Sequence, residues 1–289
     1  MITAWSWFVI IGTLGTLIAA MALLFGNRKI SGNETTGHEH DGIQELDNPL
    51  PMWWVWMFVL STVFAVGYLI YYPGLGNVKG VGDWTQLEQW QDEVDRHDAR
   101  FAPIYAELAA MTPEEMANDR RAMQVGRRLF INNCSTCHGV TAQGSFGFPN
   151  LTDGEWIYGR DYDSIQSTIL NGRVAVMPPW GAALGDDGVT EVTEYVLKLA
   201  GREHDETAAA TGASKYTMFC VACHGADGAG NVALGYPDLN NDVWLYGGDR
   251  EQIAFTLRNG RNGNMPAHRE ILGEDKTKVL AGYVMTLGE

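Results

Sequence analysis

The pentapeptide CSTCH at residues 134–138 organises this chain, and it recurs as CVACH at residues 220–224. Both have the pattern C-x-x-C-H, which is typical of c-type haem attachment. Two thiols three residues apart can form thioether bonds with one porphyrin edge, and the adjacent histidine can ligate the iron. All four cysteines of the chain lie in these motifs. We therefore predict two covalently bound haem c groups. The attachment residues are Cys134, Cys137, Cys220 and Cys223, and the axial histidines are His138 and His224.

Two other interpretations of the motifs exist. Thioredoxin-like dithiols share the C-x-x-C spacing, but they accompany a βαβ pattern, which is not visible here. A zinc site shared by the four cysteines would leave both histidines unexplained, although mixed cysteine and histidine ligation occurs.

The charge of the chain limits its partners. The net charge is −15, and residues 74–289 contain 18 basic and 30 acidic residues. An acidic soluble part argues against nucleic acid and favours a basic protein partner. A solvated acidic surface without a partner is the alternative.

Two long apolar runs lie near the start, at residues 4–25 and 52–72. A helix of about 22 residues spans roughly 33 Å, enough to cross the hydrocarbon core. A cleaved signal peptide is the alternative for the first run, but the first seven residues lack the basic charge that it needs. We predict two transmembrane helices in contact with membrane lipid.

Arg28 and Lys29 follow the first run, and the positive-inside rule places them in the cytoplasm. Haem c attachment requires export across a membrane, so the soluble part should be periplasmic or its topological equivalent. The predicted division is transmembrane helices at 1–25 and 52–73, a cytoplasmic loop at 26–51, a periplasmic helical linker at 74–111, and haem domains at 112–203 and 204–289.

The two haem domains repeat each other beyond the pentapeptides. LTDGEWIYG at 151–159 matches LNNDVWLYG at 239–247, and Met177-Pro178 aligns with Met265-Pro266. Methionine opposite histidine is the ligand pair of electron-transfer cytochromes, whereas a generic methionine is usually packing. We predict that each repeat supplies its own distal ligand, Met177 for the first haem and Met265 for the second.

Other matched residues are candidates for lining the haem pockets. Trp156 and Trp244 would pack on porphyrin edges, and Tyr158 and Tyr246 would reach propionates. Arg173 and Arg261 lie in the twin NGR segments and could pair with propionates, since buried carboxylates need charged partners. The alternative for each arginine is a solvated helix end. His268 has no counterpart in the first repeat and is expected at the surface.

We expect an all-α fold in which each repeat is a small helical domain. Thr112, Pro113 and Glu115 form a capping box for a helix that should run to about Asn133. Gly126 and Gly212 would let the terminal helix of a domain cross closely over its first helix. Residues 203–212 are the expected junction between the domains.

Each repeat resembles a class I cytochrome c domain. From about residue 41 to the end, the chain resembles the dihaem subunit of cbb(3)-type haem–copper oxidases, the CcoP family. The resemblance rests on DGIQELDNPLPMWW at 41–54, which leads into a membrane helix, and on the tandem C-x-x-C-H domains with Met-Pro loops. Many members have one membrane helix, so the first run is an addition.

The resemblance implies a role in electron transfer without bond-making catalysis. Such a subunit accepts electrons from a cytochrome c and passes them to a monohaem cytochrome c subunit. That subunit supplies the catalytic haem–copper subunit, which reduces O2. An autonomous membrane dihaem cytochrome and a dihaem peroxidase are the alternatives. A peroxidase needs an open iron position, which methionine ligation of both haems opposes.

Each motif should attach one haem independently through its cysteines. Replacement of Cys134 or Cys220 by alanine is expected to leave one haem fewer per chain, as measured by pyridine haemochrome absorbance. An unchanged stoichiometry in either variant would contradict covalent attachment at that motif.

Overall fold

The computed structural model describes residues 3–27, 35–46 and 48–288. The chain divides into two compact units, residues 1–99 and 100–289. Each unit is mainly helical, with one short antiparallel strand pair. The expected cytoplasmic side of the loop was inferred from Arg28 and Lys29, and both lie outside the described residues.

The first unit contains two long apolar helices, α1 (Ala4–Gly26) and α2 (Met52–Tyr71). Both are long and apolar enough to cross a membrane, and only 6% of the most apolar window in each is buried by protein. This agrees with the two predicted apolar spans. Between them lies a hairpin of β1 (Thr35–His40) and β2 (Ile43–Leu46), where only a polar loop was expected. Asp41 and Gly42 have positive φ values of 53° and 81°, as a type I′ hairpin turn requires.

A polar contact fixes the start of α1 to the chain that follows α2. The Ser6 hydroxyl donates to Oδ1 of Asn77 at 2.5 Å and accepts from the Asn77 amide at 3.2 Å. Ser6 is only 2% exposed, because the chain at Gly76 covers it. The first turn of α1 and the segment beyond α2 therefore lie at the same end of the helical pair.

Helix α3 (Gln86–Ala109) lies in the predicted linker. The helix expected at residues 112–133 is divided into two, α4 (Pro113–Asn118) and α5 (Arg120–Asn133). The capping box is present, with Thr112 and Glu115 each accepting the other's amide hydrogen. The division falls at Asp119, which ends α4 in an extended conformation and caps α5 through the Ala122 amide at 2.7 Å.

The rest of the second unit comprises seven helices and two strands within the described residues. They are α6 (Ser135–His138), α7 (Tyr162–Asn171), β3 (Arg173–Met177), α8 (Gly181–Leu199), α9 (Glu206–Phe219), α10 (Val221–His224), α11 (Arg250–Asn259), β4 (Arg261–Met265) and α12 (Arg269–Met285).

Two hydrophobic cores form, and each combines segments of both repeats. We call them core A, built from α4, α5, α7 and α12 around the motif at 134–138, and core B, built from α8, α9 and α11 around the motif at 220–224. Helix α8, which ends the first repeat, thus packs with the second motif. Helix α12, which ends the second repeat, packs with the first.

Specific contacts hold the exchanged helices in place. In core A, Phe130 of α5 packs against Tyr283 of α12 with ring centroids 5.9 Å apart. In core B, Tyr216 of α9 packs against Tyr195 of α8 at 5.0 Å. Buried Glu194 of α8 also accepts hydrogen bonds from Arg250 of α11, which hold the pKa of Glu194 below its usual value.

The chain crosses between the cores along β3 and returns along β4. These strands pair antiparallel, with Arg173 opposite Met265 and Met177 opposite Arg261. Gly172, which precedes β3, has a φ of 69° and lies so close to the backbone of Met265 that an added Cβ would overlap it. A glycine is required at this corner.

This packing differs from the expected division into domains at 112–203 and 204–289. Core A combines residues from about 104–172 with residues 265–287, and core B is built from residues 177–257. Most of the expected junction at 203–212 is the first half of α9, which Asp205 caps. The difference arises because a repeat shows which residues correspond but not which copy packs on which.

The crossing of α8 over α9 requires glycine at 212. An added Cβ there would overlap the carbonyl group of Glu191. We expect Gly212→Ala to destabilise the chain by about 1–3 kcal/mol through overpacking. On an open helix face the same change would stabilise by up to about 1 kcal/mol.

Denaturant unfolding of the detergent-solubilised chain measures this effect. Ser214→Ala, on the exposed face of the same helix, is the matched control and should change the unfolding free energy by less than about 0.5 kcal/mol. A stabilised Gly212→Ala variant would contradict the close crossing.

Candidate haem-binding sites

Both motifs adopt the same helical turn at the end of a longer helix. Cys134 caps α5, and the amides of Cys137 and His138 donate to its carbonyl at 3.1 and 3.0 Å. Cys220 caps α9 and accepts equivalent bonds at 3.1 and 2.9 Å. Residues three apart on a helical turn share one face, so both thiols of a motif can reach one ligand edge. In each motif the second cysteine is exposed and the first is more buried.

The two histidines are oriented identically by backbone carbonyl groups. Nδ1 of His138 lies 2.9 Å from the Pro149 oxygen, and Nδ1 of His224 lies 3.1 Å from the Pro237 oxygen. A carbonyl can only accept, so Nδ1 carries the proton and Nε2 keeps its lone pair for a metal. Burial lowers the pKa of both imidazoles, which favours the neutral, ligating form. This donor set fits a haem iron.

The zinc and dithiol interpretations find less support in the geometry. Among the described residues, no three histidine, cysteine or acidic side chains come close enough together to hold a metal ion. Burial raises the pKa of the Cys134 and Cys220 thiols to about 11. Both zinc binding and dithiol exchange use the thiolate, which this environment disfavours.

The two methionines lie in the cores opposite to those expected. Met265 packs against core A together with Cys134, and Met177 packs against core B together with Cys220. Both are partly buried at equivalent places, the last residue of β4 or β3 before a proline. The predicted correspondence of the two residues thus has a structural counterpart. The predicted pairing with the motif of the same repeat differs from the packing.

The tryptophans occupy equivalent positions in the two cores. Nε1 of Trp156 donates to the Asp153 carbonyl at 3.2 Å, and Nε1 of Trp244 donates to the Asn241 carbonyl at 2.9 Å. Trp156 packs against core A and Trp244 against core B. Each apolar ring therefore packs against the core that adjoins one motif, while its N–H remains hydrogen-bonded.

The arginines and tyrosines also form equivalent pairs. The Arg173 guanidinium lies 4.4 Å from the centre of the Tyr158 ring, and that of Arg261 lies 4.5 Å from Tyr246. Each arginine also donates through Nε to a threonine at 2.9 Å, Thr168 or Thr256. The alternative of a freely solvated helix end does not describe these partly buried, bonded side chains.

The structure adds residues that the sequence analysis did not single out. Phe146, in the loop after the first motif, packs edge-on against Tyr246 with centroids 5.8 Å apart. The neighbouring Gly147 amide donates to the Leu245 carbonyl at 2.8 Å. At the equivalent position of the second repeat, Gly235 lies against the Tyr158 ring. The loops after the two motifs thus contact each other's aromatic residues.

His268 is not the surface residue that we expected. It is partly buried, its amide donates to the Ile169 carbonyl at 3.0 Å, and Nδ1 finds no hydrogen-bond partner among the described residues. It is the residue that precedes α12, the position that Trp180 holds before α8, and neither side chain makes a capping hydrogen bond.

Comparisons with known families match most of the chain. Residues 32–79 match the N-terminal domain of cytochrome oxidase-cbb3, FixP. Residues 121–196 and 207–284 both match the model of cytochrome c oxidase, cbb3-type, subunit III. The two latter matches coincide with the two repeats.

Individual relatives agree with these matches. The cbb3-type cytochrome c oxidase subunit CcoP of Rubrivivax gelatinosus is 43% identical over 292 residues, covering 99% of this chain and 96% of the relative. Subunit CcoP of Cereibacter sphaeroides is 37% identical, covering 88% and 94%. Subunit FixP of Azorhizobium caulinodans is 37% identical, covering 89% and 94%.

One explanation accounts for the long apolar helices, the paired C-x-x-C-H turns with oriented histidines, and this extended similarity. The chain belongs to the subunit III family of cbb3-type cytochrome c oxidases, in which it is a haem c electron-transfer subunit and not the catalytic one.

Proposed function

We propose that this chain is a membrane-anchored dihaem cytochrome c of a cbb3-type terminal oxidase. It accepts electrons from a basic cytochrome c and passes them towards the catalytic haem–copper subunit. The observation that carries the proposal is the occurrence of two equivalent sites within one compact unit. Each site has two cysteines on one turn, a histidine with Nδ1 bound to a prolyl carbonyl, and a methionine in the adjoining core.

Each site would hold one haem c, which supplies one-electron redox chemistry when bound. The cysteines would attach it, and His138 and His224 would offer Nε2 to its iron. Met177 and Met265 would add a thioether ligand, a ligand type that favours a high potential. The two tryptophans would line the cores beside the haem groups. Arg173 and Arg261 are placed to balance propionate charge.

The partners follow from family membership and charge. We infer contact with the catalytic haem–copper subunit and with a monohaem cytochrome c subunit of the oxidase. The acidic excess beyond residue 73 favours encounter with a basic donor cytochrome through long-range attraction. The same charge opposes binding of nucleic acid.

The proposed location is the bacterial inner membrane, crossed twice by α1 and α2, with both haem sites in the periplasm. Covalent haem attachment takes place after export, which supports this orientation. Large apolar side chains such as Trp5, Phe8 and Phe64 are exposed on these helices, as expected of surfaces that contact lipid or another membrane subunit. The contact between Ser6 and Asn77 joins the two helix ends that this topology places on one side.

Native purification tests the assignment to an oxidase. A tagged chain, solubilised in mild detergent, is expected to bring down a partner that contains copper and haem b, measured by metal analysis and optical spectra. A chain that purifies alone and restores all cytochrome c-dependent respiration to a deletion strain would contradict the proposal. Oxygen uptake by the deletion strain separates the two roles. If the chain is an oxidase subunit, the strain should lose the cbb3-type oxidase activity, and if the chain is an autonomous cytochrome, it should keep that activity.

The charge of Arg261 is expected to set the potential of the neighbouring haem. A nearby cation favours the reduced, less positive iron, so Arg261→Gln should lower one midpoint potential by on the order of tens of millivolts. Potentiometric titration measures both haems. Arg258→Gln, which removes an exposed charge from the same region, is the control and should leave both values nearly unchanged. Equal shifts in the two variants would exclude a specific role for Arg261.

A further inference from the structure

We propose that the donor cytochrome docks on core B and not on core A. Its docking surface is an apolar patch beside the second motif, which we call the B face and which consists of Trp180, Met218, Phe219, Val221 and Ala222. The inference rests on the proposed function, in which a basic cytochrome c supplies the electrons, and it identifies the surface that this partner contacts.

The B face lies directly at the point of covalent attachment. Four of its residues flank Cys220 in the sequence, and the fifth, Trp180, packs its ring against that of Phe219 with centroids 5.5 Å apart. Met218 is 74% exposed, and the second cysteine of the motif, Cys223, is also exposed. A partner that covers this patch therefore comes close to the cysteines that hold the haem.

The aligned patch on core A, the A face, has the opposite polarity. Position for position, its residues are exposed or partly buried as their counterparts on the B face are. All five are polar: Asn132, Asn133, Ser135, Thr136 and His268. Since the two cores fold alike with either set, folding does not require apolar side chains at these positions. Apolar residues do mark the buried centre of protein interfaces, which is the explanation that remains for the B face.

Charge determines which partner fits the B face. Core B, taken as residues 177–257, has a net charge of −8 from 4 basic and 12 acidic residues. Core A, taken as residues 104–172 and 265–287, has a net charge of −3 from 8 basic and 11 acidic residues. Each of the four basic side chains of core B forms an ion pair with an acidic residue of the same core. An apolar patch in acidic surroundings complements a basic partner, which it attracts over long range.

The first helix of core A would repel the same partner. Of the arginines in α5, only Arg121 forms an ion pair within the part of the chain that the structure describes, with Glu107. Arg120, Arg127 and Arg128 are exposed without such a pair. The residues of α9 that align with these three are neutral or acidic, namely Glu206, Ala213 and Ser214. A basic protein that approaches the first motif thus meets positive charges that the second motif lacks.

Docking on the B face makes the haem at residues 220–224 the first to be reduced. The ferrous iron of the donor loses one electron, and the ferric haem attached through Cys220 and Cys223 gains it. Electron-transfer encounters bury less than about 1,200 Å² in total, so a patch of five residues with a charged surround is sufficient for a partner that must leave again.

A matched pair of lysine substitutions tests this assignment. Met218→Lys and Asn132→Lys place the same charge at aligned, exposed positions of the two faces. In the native oxidase complex at low ionic strength, we expect Met218→Lys to lower kcat/KM for a reduced, positively charged monohaem cytochrome c by about tenfold, through KM and not kcat. Asn132→Lys should change kcat/KM by less than about twofold. Oxygen consumption measures both values.

Salt separates repulsion from damage to the fold. At about 0.5 M salt, where charges are screened within a few ångströms, Met218→Lys should recover most of the unsubstituted kcat/KM. Docking on the B face is overturned if Asn132→Lys has the larger effect, if the two variants behave alike, or if the defect of Met218→Lys persists in high salt. In those cases the proposed function stands. If the unsubstituted complex does not oxidise the basic cytochrome at all, the proposed function itself fails.

Cross-linking of the unsubstituted complex provides a test without variants or turnover. Carbodiimide joins lysines of the bound cytochrome to nearby carboxylates, and peptide mass spectrometry identifies the linked residues. We expect links to the exposed acids near the start of α8, Asp186 and Asp187, and none to the aligned acids of α12, Glu274 and Asp275. Links to the α12 pair in place of the α8 pair would overturn docking on core B.

Discussion

The crossing of the chain at β3 and β4 is the constraint on which the second unit depends. Gly172 and Gly260 end α7 and α11 with positive φ values, and both lie against the backbone of the opposite strand. From these corners the chain extends away from the helix it has just formed and enters the other core. Five paired residues in each strand then hold the two cores together. The cores are therefore complementary parts of one folded unit.

Several features of this arrangement were predictable from the sequence. Contiguous sequence patterns predict the two apolar spans, the capping box at Thr112 and the turns that carry the cysteines. The internal repeat predicts the equivalence of Met177 with Met265. The two prolines that orient the histidines, Pro149 and Pro237, could also have been identified from the repeat, because FPNL at 148–151 aligns with YPDL at 236–239.

The exchange between repeats was not predictable, for a physical reason. Gly126 and Gly212 lie under crossing helices, but the crossing helix comes from the other repeat and not from the same domain, as was expected. The ring contacts are nearly equivalent in the two cores, Tyr283 against Phe130 and Tyr195 against Tyr216. The sequence alone therefore does not show which terminal helix packs on which motif helix. The ion pair of Glu194 with Arg250 distinguishes core B, because the aligned residues of core A are Gly282 and Tyr162. That difference becomes informative only with the structure.

The position of α12 has a genetic consequence. Because this C-terminal helix forms a wall of core A, a nonsense mutation after residue 264 would remove the lining of the site whose motif is encoded first. The segments that build core B, residues 177–257, would still be translated in full. A late truncation should thus damage the core at the earlier motif and spare the core at the later one, the reverse of the order in which the motifs occur in the gene.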